Sequence, residues 1–273
     1  MNPLPSESHQ AWHEEAHVVQ FDGWARLPVG DLKNVYESFN EIALFLENKS
    51  SLHGRTFAEV GCATGELYRY ITRYHREFAY FGFDISELVI RRAKEKYQKG
   101  AFFVCGEDLS GIREQCSPDV IFARDVVLHQ PNPWAFLVQL IRLPAEAAIL
   151  RIRTRDKGET VLDPELSCQW QFGNWVPYMV LNMDEVIEKI VESVNVSKLF
   201  VYKHYQPLGG QNGRFLPKEC YLPQTGTAQT AFYLELASEP VAVPQIVVQE
   251  RVDPRPRRTL RGLLGDVRRV LRT

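Results

Sequence analysis

From Asp31 to Lys49 the apolar residues Leu32, Val35, Tyr36, Phe39, Ile42, Ala43 and Phe45 recur at steps of three and four, the spacing of one helix face, with Asp31 placed to cap the N-terminus. This predicts one continuous helix ahead of the main body. Beyond it the pattern changes: short apolar runs at Thr56–Val60, Ala79–Phe83, Ala101–Val104, Val120–Ala123 and Ala147–Ile152 alternate with helix-like segments at 65–75, 86–97 and 133–142. The last segment opens Asn132-Pro133, a capping residue followed by proline at the first helical position, where a missing N–H costs nothing. Strands alternating with helices demand right-handed crossovers, so the expected class is α/β, a doubly wound and mostly parallel sheet covered by helices on both faces.

After the fifth run the rhythm breaks. Residues 154–180 form a long aromatic insertion, a helix is expected over 183–193, and strands near 197–204 and 230–237 are joined by a Gly/Pro-rich loop at 206–228. A connection that long without elements of its own is uncommon in a compact domain and points to function. The expected organisation is a helical cover at 1–54, a core at 55–238 with insertions at 154–180 and 206–228, and a linker with a basic helix at 239–273.

Composition narrows the class. No apolar stretch approaches the roughly 18 to 20 residues needed to cross a bilayer, and MNPLPSESHQ has neither the basic opening nor the apolar run of a signal peptide, so a cytoplasmic protein is expected. Five cysteines lie scattered without a C-x-x-C pair, which argues against a disulfide framework or a cysteine zinc site. The net charge of −2 hides an asymmetry: residues 251–273 hold eight arginines and two aspartates, a local +6, which leaves −8 on residues 1–250. The body is therefore a poor nucleic-acid binder, whereas the tail suits an acidic surface.

The first strand runs into Glu59-Val60-Gly61-Cys62-Ala63-Thr64-Gly65-Glu66 and then a helix. Small residues at 61, 63 and 65 let the backbone turn sharply and approach a ligand closely. A dinucleotide fingerprint would need glycine at 66, where Glu66 stands, and a carboxylate at a helix N-terminus repels pyrophosphate. A nucleoside ligand without phosphate fits better. The second strand ends in Phe83-Asp84-Ile85, whose acid can accept hydrogen bonds from both ribose hydroxyls, and the third in Cys105-Gly106-Glu107-Asp108, which offers acceptors for an exocyclic amine.

The segments FAEVGCATGELYRYI, YFGFDISELVIRRAKEKY, FFVCGEDL and PDVIFARDVVLHQPNPWAFLVQLIRL together resemble, in order and spacing over about residues 55–153, the class I S-adenosylmethionine-dependent methyltransferases. That resemblance implies a seven-stranded sheet of order 3-2-1-4-5-7-6 with strand seven antiparallel, and S-adenosylmethionine as methyl donor. It implies that Glu59 orients the turn and the donor's amino group, and that Gly61, Cys62, Ala63 and Gly65 pass beneath its methionine part. It further implies ribose contact for Asp84, adenine packing for Ile85, adenine-amine contact for Glu107 or Asp108, and a place near the methionine end for Arg124. Two departures stand out: Ala63 replaces the common middle glycine, and Ala145-Glu146-Ala147 replaces the usual Gly-Gly before strand five.

Methyl transfer from a sulfonium is an in-line displacement, so most of the help is holding nucleophile and methyl carbon at near-attack distance. A hydroxyl acceptor gains from a general base as well; His129, just beyond strand four, is the first candidate and Asp125 the second, each with a local structural role as the alternative. The run His13-Glu14-Glu15-Ala16-His17 is a literal H-E-x-x-H, but it lies near the N-terminus, ahead of an unrelated α/β core, so no metal site is expected. A cover over the active-site mouth fits it better, with His13 or His17 touching acceptor. Trp170, Phe172, Trp175 and Tyr178 form either a hydrophobic patch under a loop or a platform for an acceptor's flat or apolar face.

In the tail, Leu260, Leu263, Leu264, Val267, Val270 and Leu271 make one helical stripe with arginines opposite, a pattern suited to an anionic membrane surface, to a partner protein or to docking on the acidic body itself. The expected activity is O-methylation of a sugar, a glycan or another hydroxylated small molecule, with peripheral contact at the inner face of a membrane. N-methylation and a non-catalytic Rossmann-like scaffold stay open.

Overall fold

The computed structural model describes residues 9–22, 28–206, 213–216 and 226–250. Its helices are α1 (Glu15–Asp22), α2 (Val29–Glu37), α3 (Asn40–Asn48), α4 (Glu66–Tyr74), α5 (Glu87–Lys96), α6 (Ile112–Gln115), α7 (Pro133–Ile141) and α8 (Met183–Ser193). The first five strands are β1 (Thr56–Val60), β2 (Ala79–Asp84), β3 (Ala101–Val104), β4 (Val120–Arg124) and β5 (Ala147–Arg155). They are followed by β6 (Cys168–Gln171), β7 (Asn174–Pro177), β8 (Leu181–Asn182), β9 (Val196–Tyr205), β10 (Arg214–Phe215), β11 (Ala228–Leu236) and β12 (Gln245–Glu250).

The main sheet runs β12-β9-β11-β5-β4-β1-β2-β3, with β8 pairing beside β5. The expected order is present in it as β3-β2-β1-β4-β5-β11-β9, and β11 is antiparallel to both β5 and β9. The sheet extends further than expected, because residues 245–250, assigned to a linker, add β12 parallel to β9. Three consecutive β-branched residues, Ile246, Val247 and Val248, supply the strand propensity there. Since β9 runs with β5, β12 ends at the same rim of the sheet as β1, β4 and β5. The amphipathic stripe from Thr259 onward lies outside the described residues.

The predicted helix over 31–49 is two helices, α2 and α3, and Asp31 sits in the first turn of α2 after Pro28 rather than capping it. Ser38 breaks the run: its hydroxyl donates to the Val35 carbonyl at 2.7 Å, and Phe39 turns extended before α3 begins. At α7 the Asn132 side chain accepts from the Ala135 N–H at 3.0 Å, as the Asn-Pro pair predicts.

Alternation along the strands feeds two cores. Ala58, Val60, Ile121, Ala123, Leu150 and Ile152 pack under α7 and α8, while Phe57, Phe122 and Ile149 face Leu32, Phe45, Leu67, Ile71 and Ile90 of α2 to α5. Strands β6 and β7 of the 154–180 insertion join β10, which lies within the 206–228 connection expected to lack elements, in a separate three-stranded sheet, β10-β6-β7. Strand order reverses between β1 and β4, and a crevice opens beyond their C-terminal ends, where open α/β sheets bind ligands.

Candidate active site

That crevice is a cavity of about 360 Å3. On one side it is bounded by the turn after β1. Gly61 has φ +78°, and a Cβ there would lie 2.6 Å from a Val126 methyl, so glycine is required by strand-four packing. Gly65, φ +82°, ends the turn but does not line the cavity; its missing Cβ makes room for the rings of Phe102 and Tyr97. The turn residue that tolerates a side chain is Ala63, held at φ +46° by its N–H bond to Asp84 Oδ2 at 3.0 Å. The other Asp84 oxygen accepts the Ser86 N–H at 3.0 Å, so each oxygen keeps a lone pair for a further donor. Asp84 is buried and faces the cavity with Ile85 and Cys62 beside it.

Glu59 is also buried. Burial pushes its carboxyl up to about 8, opposed by the Tyr80 hydroxyl and Arg124, so it holds a proton at neutral pH. The Tyr80 hydroxyl donates to it. Glu66 has a different status from the one its sequence position suggests: Lys96 pairs with it, and the Tyr97 hydroxyl bonds it at 3.0 Å, so its charge is compensated locally. Glu107 lines the cavity mouth, largely exposed, with the His9 ring 2.8 Å away; Asp108 turns outward to bond the Ser110 N–H and is not part of the wall.

The opposite side is a buried charge network. Arg124 Nε and Arg151 Nη1 both reach Glu41 Oε1 of α3, at 3.0 and 3.1 Å, and Arg124 lies over the Phe39 ring. Asp125 follows β4 in the left-handed region, φ +57°, and takes Arg151 and Arg153 on its two oxygens. Burial raises its pKa, but the guanidiniums outweigh burial and hold the carboxyl below its ordinary range. Such an acid is a weak proton acceptor; the geometry makes it an anchor for charge.

His129 sits in a short 3-10 turn, residues 127–129. Its Nδ1 lies 2.8 Å from the Pro177 carbonyl, which only accepts, so Nδ1 carries the proton and Nε2 keeps the lone pair. Burial pushes its pKa down to about 4, against the upward pull of the Pro177 bond and Asp125. His17 repeats the arrangement: Nδ1 donates to the Trp12 carbonyl at 2.8 Å, and burial lowers its pKa while Asp84 raises it. His13 is exposed and outside the cavity. The H-E-x-x-H run does not lie on one helix, because Glu14 is extended between the 3-10 turn ending at His13 and α1. Among the described residues no group of three or more His, Cys, Asp or Glu side chains is positioned to hold a metal ion.

The aromatic platform differs from the expected one. Trp170 and Trp175 pair across the β6–β7 hairpin, ring centroids 5.3 Å apart, outside the cavity. Strand alternation is the reason: Gln169 and Gln171 point to the cavity and Trp170 points away. The rings that do line it include Trp12, His17, Phe172, His129 and Tyr178, with Trp12 4.9 Å from His129 and 5.7 Å from Phe172. Of these, Phe172 belongs to the aromatic cluster read from the sequence, and Trp12 opens the segment expected to cover the mouth. Arg151 and Arg153 also carry a sequence signal, the alternating R-I-R-T-R of 151–155 at the ligand end of a strand.

Residues 58–150 match the profile of a methyltransferase domain. No curated protein matches the chain in sequence. Solved structures share its fold: the O-methyltransferase of a trans-AT PKS multienzyme from Brevibacillus brevis, in complex with S-adenosyl-L-homocysteine, is 14% identical with TM-score 0.52 over 72% of each chain. Magnesium protoporphyrin IX methyltransferase from Synechocystis PCC 6803, with bound S-adenosylmethionine, is 14% identical with TM-score 0.50, over 86% of this chain and 99% of that one. An S-adenosylmethionine-dependent methyltransferase from Clostridium acetobutylicum is 10% identical with TM-score 0.50, over 82% of this chain and 98% of that one. Residues 58–150 are thus a methyltransferase domain, and the strand order gives the chain the class I, Rossmann-like methyltransferase fold.

Proposed function

We propose that the protein O-methylates a hydroxylated small molecule, a sugar or glycan among the candidates. The donor fits the side of the cavity nearest β1. Asp84, with one lone pair left on each oxygen, would receive the ribose hydroxyls; Ile85 would pack on the adenine and Glu107 meet its amine. Gly61, Cys62 and Ala63 would run beneath the methionine part, with Glu59 and Arg124 near its polar end. When bound, the donor supplies an electrophilic methyl group. The chain's own part is to exclude water, align the acceptor and take its proton.

The observation that carries the oxygen reading is the locked tautomer of His129, whose Nε2 lone pair belongs to a ring lining the cavity. An amine or thiolate needs little help in giving up a proton, whereas a hydroxyl gains about 100 to 10,000-fold from a base. The N-terminal segment would act as a cover, since His9, Trp12, His17 and Phe21 belong to the wall and Asp22 is tied to Arg92 at 2.8 Å on α5. The tail from 255 would hold the enzyme to an anionic lipid surface. The decisive test is incubation of the protein and labelled donor with cell extract, followed by mass spectrometry. A product carrying one new methyl ether supports the reading; a methylated amine as the only product overturns it.

A further inference from the structure

Tyr36 of α2 is 5% exposed and belongs to the cavity wall. Its ring is held by packing: it stacks on Tyr70 of α4, centroids 5.1 Å apart and planes at 18°, and meets the Phe39 ring edge-on at 6.1 Å. That packing accounts for the ring and not for the oxygen. Among the described residues the Tyr36 hydroxyl makes no hydrogen bond. The carboxyls on this side of the cavity are engaged elsewhere: the Tyr80 hydroxyl donates to Glu59, while Lys96 and the Tyr97 hydroxyl hold Glu66. A buried hydroxyl without a partner costs free energy and is uncommon in native folds, so one in the wall of a ligand cavity points to the ligand.

What the ligand must offer there follows from the surroundings. Burial holds the phenol well above its ordinary range, against the pull of Arg124, so the oxygen keeps its proton and donates. The Arg124 guanidinium lies 5.9 Å from the centre of the same ring. It meets Glu41 through Nε at 3.0 Å, and its side chain is 20% exposed, which leaves the Nη edge to the cavity. A hydroxyl donor beside a guanidinium suits a carboxylate, and the guanidinium disfavours an ammonium in the same place. We propose that Tyr36 is a donor-binding residue, its hydroxyl bonding the methionine carboxylate of S-adenosylmethionine together with Arg124. This rests on the methyltransferase reading and extends the donor site to α2, ahead of the matched domain.

The test is calorimetric titration of S-adenosylhomocysteine, and of its decarboxylated analogue, which keeps the amine and lacks only the carboxylate, into the full-length protein and into Tyr36→Phe. The unaltered protein should bind the analogue about ten-fold or more weaker than S-adenosylhomocysteine. Tyr36→Phe should weaken S-adenosylhomocysteine about ten-fold and leave the analogue within about two-fold. The change removes one oxygen that pairs with no other residue, so the unfolding midpoint without ligand should hold or rise, while the further rise produced by S-adenosylhomocysteine should shrink. Equal affinity of the unaltered protein for the two compounds, full S-adenosylhomocysteine affinity in Tyr36→Phe, or equal losses of both compounds in that variant overturns the proposal. Failure of the unaltered protein to bind either compound is a different result: it overturns the donor reading itself, and the proposal with it.

Discussion

At the donor side, much of the cavity wall comes from short stretches that end neighbouring strands: the turn 59–66 after β1, Asp84 and Ile85 after β2, and Cys105 to Glu107 after β3. At the acceptor side, Trp12, Asp125, His129, Arg153, Phe172, Tyr178 and Arg214 arrive from the N-terminal segment, the β4 and β5 ends, the 154–180 insertion and the β10 loop. The first region works through backbone turns and a carboxylate that organises amides; the second works through buried cations, rings and an imidazole. Local chain geometry supplies most of the side proposed to take the donor, whereas long-range assembly builds the side proposed to take the acceptor.

The contrast can be broken in order of effect. Glu41→Ala leaves Arg124 and Arg151 without their shared carboxylate and should destabilise the fold by about 3–5 kcal/mol, measured by denaturant unfolding. An unchanged midpoint would mean that the acceptor-side network is not held as a buried unit. Asp84→Ala removes both the proposed ribose acceptor and the bond that sets Ala63, so S-adenosylhomocysteine affinity should fall by about 100-fold or more in calorimetry. Retained affinity removes Asp84 from the donor side. His129→Gln should lower kcat by about 100-fold with donor affinity kept, separating the two regions in one variant; an unaffected rate removes it as base.

The pH dependence sharpens the same point. Burial lowers the pKa of His129 in the fold from 6.5 to about 4, so the neutral ring is the form the native state favours. Its contribution to stability is present above 6.5 and is lost as pH falls through about 4, and the acid limb of kcat/KM should lie near 4. Melting curves across that range, compared with His129→Gln, check the sign: the variant should lose part of the acid sensitivity. The smallest effect belongs to Trp170→Ala, outside the cavity, which should leave kcat and donor affinity within about two-fold and shift stability by about 0.5 kcal/mol or less.

The five parallel strands, three of the crossover helices and the turn were legible because each follows from hydrophobic period, a capping pair or small residues at fixed spacing. Helix α8 and strands β9 and β11 were also anticipated, within a residue or two of their ends. The break at Ser38 was not, because a side chain bonding its own backbone leaves the three- and four-residue spacing intact. The strand at 245–250 escaped notice since its apolar run is short and follows a proline-rich stretch. For Trp170 the sequence leaves patch and platform open, because an aromatic cluster in sequence says nothing of which face of a hairpin each ring takes. Arg151 and Arg153 gave the opposite lesson. Charged residues at alternate strand positions, all facing one side, mark a buried cationic wall, and that pattern was available in R-I-R-T-R.

Strand β12 carries one more consequence. Its direction brings Glu250 to the rim on which the active-site mouth opens. Were the residues that follow to grip a surface, as proposed, the point of attachment would leave the fold on the side where the opening lies, and an acceptor confined to that surface would be found by lateral diffusion in two dimensions.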